Sequence, residues 1–279
     1  MTVQPKLLNL SVHIDEHLEG DLSLAKLAAR MKLSPFHFHR KFRDYFGESL
    51  HQHIKRLRLE RAAWELLQHD KPVKSIALSS GYRTVSAFSH AFSLFAGVPP
   101  THYREMMWNG PHAQARKAVQ RKLSEDFLAK LKPARTTTLK ERQVIFLRTI
   151  AAGRGVQAEA REVCEHIVEM TGPVAEWCGV MLDIPGVTPA AHFRIDIGTD
   201  AVRLPPRVRA QFGVRTLPAG RFAIFDFTCR FADLLDVAQA IDLLWLPASG
   251  EKPRAATPYV TFKGDIGGEM EFRYCLPLV

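Results

Sequence analysis

Residues Ile76 to Arg104 read Ile-Ala-Leu-Ser-Ser-Gly-Tyr-Arg-Thr-Val-Ser-Ala-Phe-Ser-His-Ala-Phe-Ser-Leu-Phe-Ala-Gly-Val-Pro-Pro-Thr-His-Tyr-Arg. A short helix is expected to end near Gly81, where glycine accepts the positive φ of a tight turn. A second helix is expected to start near Thr84, a good N-cap type. Phe88, Ala91, Phe92 and Phe95 recur at i, i+3, i+4 and i+7, which predicts one buried stripe. Val85, Ser86, Ser89 and His90 fall on the other face. Helix, glycine turn, and helix with a polar outer face is the pattern of a helix-turn-helix. Two helices of an ordinary bundle would look similar if the stretch stood alone.

The pattern occurs a second time, about 50 residues earlier. Leu27-Ala28 matches Ile76-Ala77, Phe42 matches Phe92, and Gly47 matches Gly97. Ser34-Pro35 opens the second helix of that copy, an N-cap followed by proline at the first helical position. Its predicted stripe is Phe38, Phe42 and Tyr45, and its outer face carries Phe36, His37, His39, Arg40 and Arg43. Two such faces can touch one target at two places. Between the copies, Leu50 to Gln68 is expected to form a long helix with an apolar seam of Leu50, Ile54, Leu57, Ala62, Ala63, Leu66 and Leu67. Lys55, Arg56, Arg58 and Arg61 crowd the rest of it, as on a solvated amphipathic face. Ahead of both copies, Lys6 to Leu18 reads as a first helix.

On these residues the stretch from about Leu7 to Arg104 resembles the DNA-binding domain of the AraC/XylS family of transcription regulators. The second copy carries Gly81-Tyr82, Phe88, Phe92, Gly97, Pro99-Pro100 and Tyr103-Arg104; the first adds Leu27-Ala28, Ser34, Phe42, Gly47 and Ser49. The resemblance implies two helix-turn-helix motifs joined by the long helix, binding double-stranded DNA at a promoter or operator, with RNA polymerase as a further partner.

Charge is distributed to match. Residues 1–113 hold 15 Lys/Arg against 10 Asp/Glu, residues 114–142 hold 9 against 3, and residues 143–279 hold 14 against 16, giving the formal net charge of +9. A basic half suits a polyanion; a solvated basic surface without a partner is the plainer reading. No histidine spacing, His37 with His39 and His51 with His53 included, comes with the cysteine or carboxylate partners of a metal site. No metal and no cofactor is expected. Cys164, Cys178, Cys229 and Cys275 form no Cys-x-x-Cys pair. No signal peptide and no apolar run of membrane-spanning length is evident, so a cytoplasmic, nucleoid-associated chain with reduced thiols is expected.

Beyond Asn109-Gly110-Pro111 the pattern breaks, and residues 108–142 read as a basic linker. From Gln143 strands and helices alternate. Strands are expected near 144–147, 193–197, 222–228, 259–262 and 271–276, and helices near 159–169 and 231–245. This half resembles the GyrI-like effector-binding domain. The resemblance rests on Val214 to Leu217 with Pro218-Ala219-Gly220-Arg221, on Trp245-Leu246-Pro247 and on Leu276-Pro277-Leu278. It implies a cleft for a small hydrophobic, often cationic, molecule. Trp177, Phe193, Phe225, Trp245, Tyr259 and Tyr274 are the expected effector-binding aromatics, against the plainer reading of core. Many members carry a glutamate where this chain has Val260, so a neutral aromatic ligand, or an acid such as Asp226 or Glu271 from elsewhere, is expected.

The expected fold class is therefore an all-α DNA-binding domain with two helix-turn-helix motifs joined by a long helix (1–107), a basic linker (108–142) and an α+β effector-binding domain with a duplicated strand-helix-strand-strand unit (143–279). The expected DNA-contacting residues are Phe36, His37, His39, Arg40 and Arg43 in the first copy and Val85, Ser86, Ser89 and His90 in the second. Arg40 can bind guanine O6 and N7 bidentately, and Phe36 can pack on thymine methyls. Family members commonly carry arginine where His90 stands, so the second copy is expected to position and the first to read. No catalytic residue is expected. The rival readings are a DNA-repair or small-molecule-hydrolysing enzyme carried on the same DNA-binding half, and an architectural DNA binder with an interaction module.

Overall fold

The computed structural model describes residues 4–68, 71–109, 131, 135–150, 156–183, 188, 193–201, 204–254 and 256–279. The chain forms two compact units, Met1–Asn109 and Gly110–Val279.

The first unit is helical: α1 (Pro5–Glu16), α2 (Leu24–Arg30), α3 (Pro35–Phe46), α4 (Leu50–Gln68), α5 (Val73–Ser79), α6 (Val85–Ala96) and α7 (Pro100–Asn109). The equivalent helices α3 and α6 begin and end alike. Ser34 Oγ accepts from the His37 N–H at 3.3 Å, and Thr84 Oγ1 from the Ala87 N–H at 3.1 Å. Both helices stop at glycines in the left-handed region, Gly47 at φ 73° and Gly97 at φ 78°. The buried stripes are Phe38, Phe42 and Phe46 on α3, and Phe88, Ala91 and Phe92 on α6. Tyr45 and Phe95, expected in the stripes, are only half-buried. On α3 the i, i+4, i+8 series runs on to the last helical residue, and Tyr45 lies edge-on against Phe46 instead, 4.8 Å between centroids. α1 stops at Glu16, two residues early, with the His17 ring nitrogen Nδ1 turned back to the His13 carbonyl.

α4 packs against α3, α5, α6 and α7, and its arginines are not a solvated face. Arg58 donates from Nε to the Leu18 carbonyl at 2.8 Å and from a terminal nitrogen to the Gly20 carbonyl at 3.2 Å. The same guanidinium lies over Gly81 (φ 81°), where an added Cβ would meet it at 2.8 Å. Glycine is thus needed at this turn for conformation and for space. Arg61 donates to the Ser79 carbonyl at 2.7 Å and pairs with Glu19. Arg56 pairs with Glu48 at 2.6 Å and Glu60 at 3.0 Å. Apart from the Arg56–Glu60 pair within α4, these contacts tie the long helix to the ends of neighbouring helices, which sets the spacing of the two motifs.

His53 Nδ1 lies 2.8 Å from the Glu48 carboxylate, a contact that requires the ring proton on Nδ1. Burial pushes the Glu48 carboxyl up, but hydrogen bonds from His53 and Arg56, with their charge, outweigh it and hold the carboxyl at about 2. An acid depressed from an ordinary 4.5 stabilises the fold above pH 4.5 and loses that contribution as pH falls toward 2. The helical unit is therefore expected to lose stability between pH 4.5 and about 2, and Glu48→Gln to flatten that slope in pH-dependent urea denaturation.

The second unit is one eight-stranded sheet with helices on one face. Its elements are β1 (Arg135–Leu139), β2 (Arg142–Ile150), α8 (Val156–Thr171), β3 (Trp177–Met181), β4 (Arg194–Asp200), α9 (Pro206–Arg209), β5 (Gly213–Leu217), β6 (Gly220–Arg230), α10 (Leu234–Ala240), α11 (Leu246–Ser249), β7 (Tyr259–Lys263) and β8 (Glu269–Pro277). A 3₁₀ turn (Phe231–Asp233) leads into α10, and a π-helical turn (Ile241–Trp245) joins α10 to α11. The sheet order is β1-β6-β8-β7-β3-β4-β2-β5. Strand-helix-strand-strand occurs at β2-α8-β3-β4 and again at β6-helix-β7-β8, and the order is symmetric about the antiparallel β3–β7 pair. At that centre Gly179 faces Val260, and a Cβ on Gly179 would come within 2.9 Å of a Val260 methyl.

Residues 135–142, expected in the linker, belong to the sheet: β1 pairs with β6 and β2 begins at Arg142. The run Thr136-Thr137-Thr138 is β-branched and suits a strand. Most of the remaining linker, 110–130 and 132–134, lies outside the described residues.

Candidate nucleic-acid interface and effector site

The exposed start of α3 gathers the polar and cationic groups of the first motif. Phe36 is 74% exposed at this helix start. His37, Arg40, Lys41 and Arg43 are exposed beside it, and His39 is half-buried. Phe36 and His37 form a tilted ring pair at 6.1 Å. The Ser34 cap fixes the first turn, so these side chains leave a rigid helix end. On α6, Val85, Ser86 and His90 are exposed and Ser89 is half-buried, with its carbonyl accepting from the Ser93 hydroxyl. Arg83 is exposed just before this helix. The surface α6 presents is thus apolar and hydroxylic, whereas α3 presents two guanidiniums and an ammonium.

The six expected effector aromatics do not form one cluster. Phe225 and Tyr274 are cross-strand partners on β6 and β8, with ring centroids 6.4 Å apart. Trp245, from the π-helical turn, meets Phe225 edge-on at 4.9 Å. These three come together on the helix-covered face. Trp177 is buried on the same face and stacks on Phe262 at 6.3 Å. Phe193 is buried just ahead of β4. Tyr259 is on the opposite face, in a core cluster with Cys178, Val180, Phe222, Ile224 and Cys275. Successive strand residues alternate faces, and Val260, not Tyr259, is in register with Tyr274. Tyr259 is therefore a core residue of the other side.

The same alternation removes Asp226 and Glu271 as substitute acids for the cleft. Both lie on the face opposite Phe225 and Tyr274, and Asp226 is paired with Arg273 at 2.7 Å. They line an open groove of about 410 Å³ with Glu176, Thr228, Thr261, Lys263 and Arg273. Phe227, Phe262 and Phe272 also border it, but their strand positions alternate with the charged ones and direct them to the helix face. This groove is charged and solvent-facing; the buried aromatic wall that suits a hydrophobic effector is on the other side.

The acid on the aromatic side is Asp242, in the π-helical turn. The residue is half-buried, but its Oδ1 is cut off from solvent and takes no hydrogen bond from any described residue. Burial pushes its carboxyl up to about 7. Burial and then Asp242 itself push the neighbouring Tyr274 hydroxyl well above its ordinary value. The sequence did carry a signal: Asp242 stands at i+4 from buried Ala238 and i−3 from Trp245, on the inner stripe of an otherwise apolar helix.

A separate polar cluster is buried between β2, β4 and β5. Asp196 pairs with Arg148 at 2.7 Å and Arg215 at 2.9 Å, and both guanidiniums lie near the Phe146 ring, at 5.9 and 5.7 Å. All four cysteines are free and buried, and burial pushes each thiol up to about 12. Among the described residues no group of His, Cys, Asp and Glu could hold a metal ion, and no helix is long and apolar enough to cross a membrane.

Both units resemble known proteins. Residues 27–106 match the family model of a helix-turn-helix domain, and residues 133–278 match that of the GyrI-like small molecule binding domain. The chain is similar to the probable transcriptional regulator LumQ of Photobacterium leiognathi, 32% identical over 92 residues, 33% of this chain and 37% of LumQ. It is similar to the multiple antibiotic resistance protein MarA of Escherichia coli, 31% identical over 91 residues, 33% of this chain and 72% of MarA. Among solved structures, the C-terminal domain of AraT, a response regulator from Geobacillus stearothermophilus, matches 38% of this chain and 88% of its own at 31% identity, with a TM-score of 0.36. The chain thus spans little more than a third of the length of LumQ.

Proposed function

We propose, for a chain that belongs to the AraC-type helix-turn-helix and GyrI-like small-molecule-binding families, that its helical unit reads a DNA site and its sheet unit binds a small effector that sets transcription. The observation that carries this reading is the exposed, capped start of α3, where Phe36, His37 and Arg40 leave a rigid helix end beside Lys41 and Arg43. An α-helix fits the major groove, where an arginine and an apolar ring can distinguish guanine and thymine edges. α6, lacking a guanidinium on its outer face, positions the protein against the backbone. Two motifs in one chain fit an asymmetric site. RNA polymerase is the natural further partner, and such a regulator works in the cytoplasm, with the chromosome.

The enzyme reading has less support. A methyl-acceptor needs a thiolate, and four thiols pushed up to about 12 are protonated at neutral pH. Selection of bound sequences from a random DNA pool tests the proposal. Enrichment of one asymmetric motif is expected; recovery of an unenriched pool would leave only an architectural binder.

A further inference from the structure

Arg58 and Arg61 lie on one face of α4, and each guanidinium touches both the segment leading into the first motif and the turn of the second. Arg58 donates to the Leu18 and Gly20 carbonyls between α1 and α2, and it lies over Gly81 between α5 and α6. Arg61 pairs with Glu19 in the first of these segments and donates to the Ser79 carbonyl at the end of α5. Carbonyls at a helix C-terminus lack intrahelical partners and carry the negative end of the helix dipole, so they suit a guanidinium. A helix-turn-helix forms without this clamp, because the first copy has no arginine at the matching positions. Ile76 follows Leu27 by 49 residues; at that offset Arg58 and Arg61 fall on Asn9 and Val12, and Gly81 falls on Lys32. The two turns are otherwise built alike. The Lys32 N–H donates to the Ala29 carbonyl and that of Leu33 to Ala28, as Gly81 does to Leu78 and Tyr82 to Ala77. Lys32 takes φ 55° where Gly81 takes φ 81°. A lysine thus holds the left-handed position in the first turn; in the second, a side chain there would also meet Arg58.

We propose that Arg58 and Arg61 are positioning residues for DNA binding: without touching the duplex, they fix where α6 lands on the backbone relative to the bases that α3 reads. The proposal deepens the reading of the helical unit as a DNA reader and rests on it. Apolar burial between helices is non-directional, whereas a planar guanidinium bonded on more than one edge fixes an orientation. Both arginines are half-buried on α4, and their partners belong to the two segments whose relative placement is at issue. One base pair shifts a phosphate by about 3.4 Å along the duplex and about 35° around it. A second motif held at one angle therefore meets two or three phosphates, and a loosened one meets a wider set.

The test uses the full chain and duplexes of the sequence selected from a random pool. In each duplex one phosphate, in the arm about one helical turn from the bases read by α3, is replaced by a neutral methylphosphonate. Affinity is read by fluorescence anisotropy. Wild type is expected to lose about tenfold at two or three adjacent phosphates, as for loss of a charge-assisted hydrogen bond, and under about twofold elsewhere in that arm. The double variant Arg58→Met, Arg61→Met is expected to show a flat profile there, with no position above about threefold, while keeping its losses at phosphates beside the α3 bases. Mere loss of folded protein lowers every affinity together and leaves the profile unchanged. Should the double variant fail to fold, Arg61→Lys, which keeps the charge but not the fork, is expected to show a broadened profile. A variant that keeps the sharp wild-type profile overturns the proposal. A flat wild-type profile on an enriched sequence also overturns it and leaves the reading by α3 standing. If wild type enriches no sequence, the DNA reading falls and the proposal with it.

Discussion

Asp196→Ala is expected to destabilise the sheet unit by about 3–5 kcal/mol, the usual consequence of removing one member of a buried ion cluster. Asp196 has no exposed side-chain surface, and it receives Arg148 at 2.7 Å and Arg215 at 2.9 Å. Without it the buried guanidiniums of Arg148 and Arg215, both near the Phe146 ring, lose the carboxylate they share. The cluster spans three neighbouring strands, β4, β2 and the edge strand β5. For a unit of this size the loss corresponds to a fall of roughly 10 °C in the unfolding midpoint. Replacing all three charged residues by apolar ones of similar volume is expected to recover most of it, because the cluster's burial is itself costly. A thermal scan in which Asp196→Ala unfolds like wild type would mean that solvent already reaches the site.

DNA affinity is expected to fall steeply with salt. The exposed cations around the two recognition helices include Arg40, Lys41 and Arg43 on α3 and Arg83 before α6. Arg56, Arg58 and Arg61 of α4 are held by Glu48, Glu60, Glu19 and backbone carbonyls, so they do not count toward the interface. With about four or five phosphates neutralised, affinity varies roughly as the inverse fourth power of salt concentration. Raising salt from 50 to 200 mM then weakens binding on the order of 10²-fold. A fluorescence-anisotropy series across that range checks the slope. A slope near zero would remove the phosphate contacts from the account.

Much of the helical unit was legible because its signals are local. Ser34 and Thr84 are N-caps and Gly81 takes the positive φ of a tight turn, each fulfilling its expected role within a few residues of where it stands. The partners of the α4 arginines are distant in sequence and so cannot be read from local pattern; Leu18 is 40 residues from Arg58. In the sheet unit, β3 left no alternation to find because all five of its residues are buried. β1 was concealed by its basic surroundings. The pairing of Phe225 with Tyr274, and the exclusion of Tyr259, depend on strand register, which period-2 patterning alone does not supply.

The central claim is that α3 reads the base sequence and α6 positions the protein. The most direct measurement compares Arg40→Ala and His90→Ala on the selected site and on a scrambled duplex. Arg40→Ala is expected to cost about 1–3 kcal/mol on the selected site, to relax preference at one base pair, and to change scrambled binding much less. His90→Ala is predicted to weaken both duplexes about equally. Unchanged discrimination in Arg40→Ala, with discrimination lost in His90→Ala, would contradict it.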